Sequence, residues 1–133
     1  MKILLTGASG YLGSLLVDSW LDHSMVEKII AVDLKAPQFL FGKDHPKIHF
    51  IQNNLADLDL EKELQPFGVI DAVVHAAYLI RTPYFKKGLT FHHHSNFEGA
   101  ENAFKFSLRN NVKKLIHFSS VAVYGANPKN SLP

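Results

Sequence analysis

The sequence predicts an α/β fold built as a doubly wound parallel sheet. Three observations carry this. Short apolar segments alternate with helical patterns along the chain, the arrangement of a parallel sheet covered by helices. The first segment, Lys2-Ile3-Leu4-Leu5, runs into a turn holding Gly7, Gly10 and Gly13 and then into a helical pattern. Residues able to do chemistry, namely Gly7, Asp33, His75-Ala76-Ala77 and Ser119-Ser120, fall where the expected strands end.

The elements follow in order. Residues 2–5 form the first strand, and Leu12, Leu15, Leu16 and Trp20 recur at helical spacing behind the glycine turn. An apolar run flanked by charge marks the second strand at 28–33, with Pro37, Gly42 and Pro46 in an irregular connection after it. The third strand covers about 48–51, and Asp57 or Asp59 caps a short helix that ends before Pro66-Phe67-Gly68. The fourth strand covers about 72–76, and 78–88 reads as a loop. A long helix then carries Phe97, Ala100, Phe104 and Leu108 on one face, with Asn110-Asn111 near its end. The fifth strand covers about 114–118. Right-handed crossovers predict the strand order 3-2-1-4-5, and the ligand lies over the carboxyl ends where that order reverses.

Composition narrows the function classes. At 133 residues the chain is one domain, and 47% hydrophobic with 20% charged residues suits a well-buried globular fold. A net charge of +2 with scattered basic residues argues against a nucleic-acid partner. The lack of cysteine leaves no disulfide or thiolate metal site and suits the cytoplasm. The first strand starts at residue 2, leaving no room for a leader, and no apolar run nears the ~20 residues of a membrane span. His92-His93-His94 reads as a polar helix start, because adjacent helical side chains stand about 100° apart and cannot share one ion. No metal is expected.

The glycine turn has the form that holds a dinucleotide pyrophosphate. Gly7 allows the sharp turn, Gly10 leaves room for phosphate, and Gly13 lets the helix pack close. Unpaired amides at the helix start then face the anion, so Ser9, Tyr11 and Leu12 join the cofactor-binding set. Asp33, at the end of strand two, can accept both hydroxyls of the adenosine ribose and repel a 2′-phosphate. This favours NAD, while Lys35 nearby keeps NADP open.

Thr6 before the glycines, their spacing, and the segments 71–77, 95–100 and 119–125 together resemble the extended short-chain dehydrogenase/reductases. Within them the resemblance is to the nucleotide-sugar epimerase/dehydratase family, over Lys2 to about Gly125. It implies a Rossmann-type fold, an NAD cofactor, a nucleotide-sugar substrate, transient hydride transfer and a homo-oligomer. Ser120 takes the place of the catalytic serine, whose hydroxyl donates to a substrate oxygen. Asn96 matches the asparagine of an Asn-x-x-Gly segment in the network behind the active site. Asn54 stands where the family has an adenine-binding aspartate, followed by the aliphatic Leu55; a turn-forming asparagine reads this position equally well. His75, Ala76 and Ala77 match a segment whose small residues let backbone approach the cofactor, although His75 taken alone reads as a packed histidine. Arg81, Tyr84, Lys86 and Lys87 read as a solvated loop within reach of a substrate phosphate.

The family completes its chemistry with a tyrosine and, four residues on, a lysine. Four residues after Tyr11, Tyr78, Tyr84 and Tyr124 stand Leu15, Thr82, Gly88 and Pro128. The expectation is therefore an incomplete NAD(P)-binding domain over 1–133, lacking later strands and a substrate domain, and inactive alone. The alternative is a non-catalytic NAD(P) sensor of the same fold.

Overall fold

A computed structural model describes residues 1–37, 44–80 and 87–120. Gly42, Arg81, Tyr84, Lys86 and the end of the serine segment, 121–125, lie outside these. Five strands form one sheet: β1 (Lys2–Thr6), β2 (Lys28–Asp33), β3 (Ile48–Gln52), β4 (Ala72–His75) and β5 (Lys114–His117). Their order is β3-β2-β1-β4-β5 with every pairing parallel, as the crossover rule predicts.

The central strands are apolar on both faces because both are covered. Ile3, Leu5, Ile29, Ala31, Ala72 and Val74 face one way, toward Val17 and Leu21 of helix α1 (Tyr11–Leu21). Their neighbours Leu4, Ile30, Val32 and Val73 face the other way, toward Leu58, Leu60, Leu64, Ala103 and Phe106. This alternation is the two-residue period of a strand, read on two cores at once. Each buried Val, Leu or Ile side chain among them contributes about 1.5–3 kcal/mol by leaving water.

Helix α1 forms as its spacing predicts, with a different face inward. Leu12 and Leu15 are exposed, and the helix faces the sheet with Gly13, Val17 and Leu21, flanked by Leu16 and Trp20. The cause is the glycine turn. Gly13 must face that turn, and residues four and eight further on then share its side of the helix.

Beyond β3, a 3-10 turn (Leu55–Asp57) leads into α2 (Leu60–Leu64), capped by Asp59 through its bond from the Lys62 amide. From Leu89 the chain is continuously helical. Helix α3 (Leu89–His93) passes through a π turn (His94–Glu98) into α4 (Gly99–Arg109). This run seats on the 3-10 turn: Gly99 lies against Leu55, and Asn102 donates to the carbonyls of Leu55 and Leu58, both at 2.7 Å. Phe97 and Leu108 point away from the core and are 68% and 80% exposed, so the apolar face read from sequence is largely an outer one. Asn110 caps the run and Asn111 takes a left-handed φ of 50°, a conformation asparagine tolerates. No helix among the described residues is long and apolar enough to cross a membrane.

Candidate functional site

The sheet brings the sequence-predicted residues to one edge. The glycine turn follows β1, Asp33 ends β2, His75-Ala76-Ala77 closes β4, and Ser119-Ser120 follows β5. All lie at carboxyl ends, on either side of the point where strand order reverses.

The turn is built backbone against backbone. Gly7 has φ +74°, and a Cβ there would stand 2.6 Å from the Ala76 carbonyl carbon and the Ala77 nitrogen. A Cβ on Gly13 would overlap the Gly7 carbonyl oxygen and stand 2.7 Å from Ala8 Cα. Only hydrogen fits in either place. Gly10 lines the cleft and sits at the N-cap of α1 in extended conformation, so the first-turn amides receive no side-chain cap from it. Tyr11 and Leu12 begin this helix at the surface.

Asp33 is held at the mouth of the cleft. Its Oδ2 accepts the Ser9 amide and its Oδ1 the Lys35 amide, both at 2.9 Å. Ser9 is buried, and its hydroxyl donates to the Lys35 carbonyl at 3.2 Å. The turn after β1 and the end of β2 are thereby one unit. Each carboxylate oxygen keeps a further lone pair for a hydroxyl donor.

A cavity of about 130 Å³ opens here, lined by Gly7, Gly10, Asp33, Asn54, Leu55, Ala76, Ala77 and Asn96 among others. Asn54 is buried in its wall. Its Oδ1 accepts the Ala56 amide at 3.2 Å, capping the 3-10 turn, and its Nδ2 donates to Ser95 Oγ at 3.1 Å. The turn-forming role is therefore present in the structure. Asn96 clamps the backbone of Leu79, accepting its N–H and donating to its carbonyl. Leu55 is buried beneath, packed in the core.

His75 is 2% exposed and shares a 2.7 Å hydrogen bond through Nδ1 with Thr6 Oγ1, its register partner on β1. Its ring stacks on His117 at 5.2 Å and meets the edge of Phe104 at 5.8 Å. Burial, with His117 beside it, lowers its pKa to about 4 and keeps the ring neutral. A packed histidine is what the structure shows. The small neighbours Ala76 and Ala77 are what let Gly7 approach.

On the far side of Ala76 lies an open apolar concavity of about 1020 Å³, bordered by His75, Phe97, Phe104, Phe118 and Ser120. It shares Ala76, Ala77, Tyr78 and Asn96 with the smaller cavity, so the two are halves of one trough. Ser120 reaches the second half and not the first. Lys87 lies at the beginning of the helical run, over the ring of Phe91 at 4.0 Å.

Sequence reasoning missed Ser95, Asn102 and His94. His94 lies 2.6 Å from Asp57 and 2.7 Å from Glu98. Only the i,i+4 spacing of His94 and Glu98 was available to point at it.

A family profile described as NAD dependent epimerase/dehydratase matches residues 3–133. The chain is 30% identical over 127 residues to a UDP-glucose 4-epimerase of Streptococcus mutans, covering 94% of this chain and 37% of that protein. Among solved structures, the UDP-N-acetylglucosamine 4-epimerase of Methanobrevibacter ruminantium, in complex with UDP-N-acetylmuramic acid, superposes with a TM-score of 0.78. It is 31% identical, over 99% of this chain and 42% of that one. The Bordetella bronchiseptica enzyme WbmG, in complex with NAD and UDP, gives a TM-score of 0.79 at 27% identity, over 100% of this chain and 42% of that one. The chain thus spans 37–42% of the length of these relatives.

Proposed function

The chain belongs to the NAD dependent epimerase/dehydratase family, and from that premise we propose that it is the dinucleotide-binding portion of an enzyme acting on a nucleotide sugar. The observation that carries the reading is the glycine turn. Its backbone is packed closely at Gly7 and Gly13, and it sets the uncapped start of α1 beside a cleft bordered by an anchored aspartate. These residues fit a dinucleotide. The Gly7–Gly13 turn and the start of α1 would hold the pyrophosphate, with Ser9 fixing the turn to Asp33. Asp33 would accept the hydroxyls of the adenosine ribose and disfavour a 2′-phosphate, so NAD is the cofactor proposed over NADP. Asn54 and Leu55 would form the wall beside the adenine.

When bound, the cofactor supplies a reversible hydride acceptor. The chain's own part is to orient and exclude. Ala76 and Ala77 keep the floor low between the two halves of the trough. Asn96, which borders both halves, holds the Leu79 backbone at the edge of the smaller one. Ser120, in the wider half, would donate a hydrogen bond to the substrate oxygen as charge gathers there, a contribution typical of preorganised donors. The proposed partners are thus a nucleotide sugar and, through the outward face of α4, a second copy of the protein.

Calorimetric titration with NAD tests the reading. The wild-type chain should bind, and Gly10→Val should fold yet bind at least about tenfold more weakly. Equal affinity in a folded variant would remove the pyrophosphate from this turn. A chain that binds without turnover on a panel of UDP-sugars agrees with the binding role, since none of its tyrosines has lysine four places on.

A further inference from the structure

The π turn between α3 and α4 carries three consecutive side chains that reach three different places. Ser95 meets Asn54, Asn96 meets Leu79, and His94 meets Asp57 of the 3-10 turn. The first two contacts shape the wall of the cofactor cleft. A π turn is a single-turn excursion from α geometry that needs local support, and such turns recur at functional sites. His94 supplies support from both sides: Nε2 lies 2.6 Å from Asp57 Oδ1 and Nδ1 lies 2.7 Å from Glu98 Oε2.

We propose that His94 is a positioning residue of the cofactor cleft, bridging Asp57 and Glu98 so that the π turn presents Ser95 to Asn54 and Asn96 to Leu79. The proposal rests on the cofactor reading above for its ligand, but its geometry stands without one. Both ring nitrogens face carboxylates, so both bonds need the doubly protonated ring; a neutral imidazole can donate only one. The hydrogen bond to Asp57, with the charges of Glu98 and Asp57, raises the His94 pKa above 6.5 despite some desolvation. Among the described residues the neighbouring groups have other contacts. On α4, Glu101 pairs with Lys105 at 3.0 Å, and on α3 His93 stacks on Phe97 while His92 lies toward the Leu79 carbonyl. The sign follows. The bridge is complete below the raised pKa and loses one arm as pH rises through it.

The test is an NMR titration of the whole 133-residue chain without cofactor, on wild type, H94Q and D57N. In wild type, His94 should titrate above 6.5 and the Asn54 and Asn96 side-chain amide signals should move with the same midpoint. D57N should lower that midpoint, and H94Q should abolish the movement. Amide signals that ignore the His94 titration, or that move equally in H94Q, overturn the proposal. In parallel, NAD affinity should fall roughly two- to fivefold on raising the pH from about 6 to about 9, the scale of exposed ion pairs, and stay level in H94Q. Equal pH dependence in both proteins overturns it as well. Failure of every protein to bind NAD at any pH would sink the cofactor reading, and the cofactor-free amide titration then decides this one.

Discussion

The carboxamide of Asn96 pairs with both backbone groups of Leu79, accepting the N–H at 2.7 Å and donating to the carbonyl at 3.1 Å. A side chain on the helical run thus does for this residue what a neighbouring strand does for β4. Extended backbone beside a cleft would otherwise need water for the same groups.

Asn96→Ala should therefore loosen the loop. Removing the partner of the Leu79 amide, and leaving its carbonyl only the 3.4 Å approach of His92 Nδ1, should cost about 1–3 kcal/mol and speed exchange of the Leu79 amide. Asn96→Asp, which keeps the acceptor and loses the donor, should fall between. Urea unfolding and hydrogen exchange measure both. Undiminished protection of Leu79 in the alanine variant would show that something else holds it.

The glycines should rank by the space behind them. Gly13→Ala and Gly7→Ala push a methyl group into backbone and should destabilise by about 3 kcal/mol or more. Gly10→Ala meets only the Gly7 carbonyl oxygen, at 3.2 Å, and should cost about 1 kcal/mol or less. Urea midpoints give the order. A Gly10 variant as unstable as the Gly13 variant would contradict it.

Much of this was legible beforehand, for physical reasons that differ by element. The limits of β2 stood out because a β-branched apolar run closed by charges within six residues is too short for a buried helix and suits a strand buried on both faces. Strand order followed from crossover handedness together with the doubly wound pattern that the glycine turn implies. The rotation of α1 was not legible, since Leu12 and Leu15 carry the stronger helical pattern and only the contact of Gly13 with Gly7 overrules it. The π turn shares its local pattern with an α-helix, so His94 was read as part of a helix start. Asn54 finds Ser95 from 41 residues away, a pairing that no window of sequence contains.

Asp33 should govern cofactor choice. Wild type should bind NAD more tightly than NADP, and Asp33→Ala should shrink that preference by about tenfold. Dissociation constants for both cofactors and both proteins measure it. Tighter NADP binding by wild type would move the assignment to Lys35.

His75 should make the fold acid-sensitive. Its pKa is lowered from 6.5 to about 4, so the unfolded chain takes up a proton that the folded chain refuses. Stability is full above 6.5 and should fall by up to about 3 kcal/mol as pH drops toward 4. His75→Gln should remove that part of the slope. Parallel urea titrations across the range compare the two. Superimposable slopes would show that the ring takes up its proton as readily in the folded chain as in the unfolded one.

The outer face of the helical run should drive association. Phe97, Leu108 and, on β5, Ile116 are 68%, 80% and 49% exposed, and among the described residues β5 pairs with β4 alone. Apolar surface beside an open strand edge favours self-pairing. Light scattering over a concentration series should show rising mass, reduced in a Phe97→Lys, Leu108→Lys variant. A wild-type chain that stays monomeric throughout would mean the edge is otherwise protected.

The backbone contact between Gly7 and Gly13 has a kinetic consequence. Peptide planes wedged against one another cannot rearrange as a ligand arrives, so the entropy of ordering them is lost when the chain folds and not when it binds. Association should then be a single encounter, its observed rate rising linearly with ligand concentration and without a plateau.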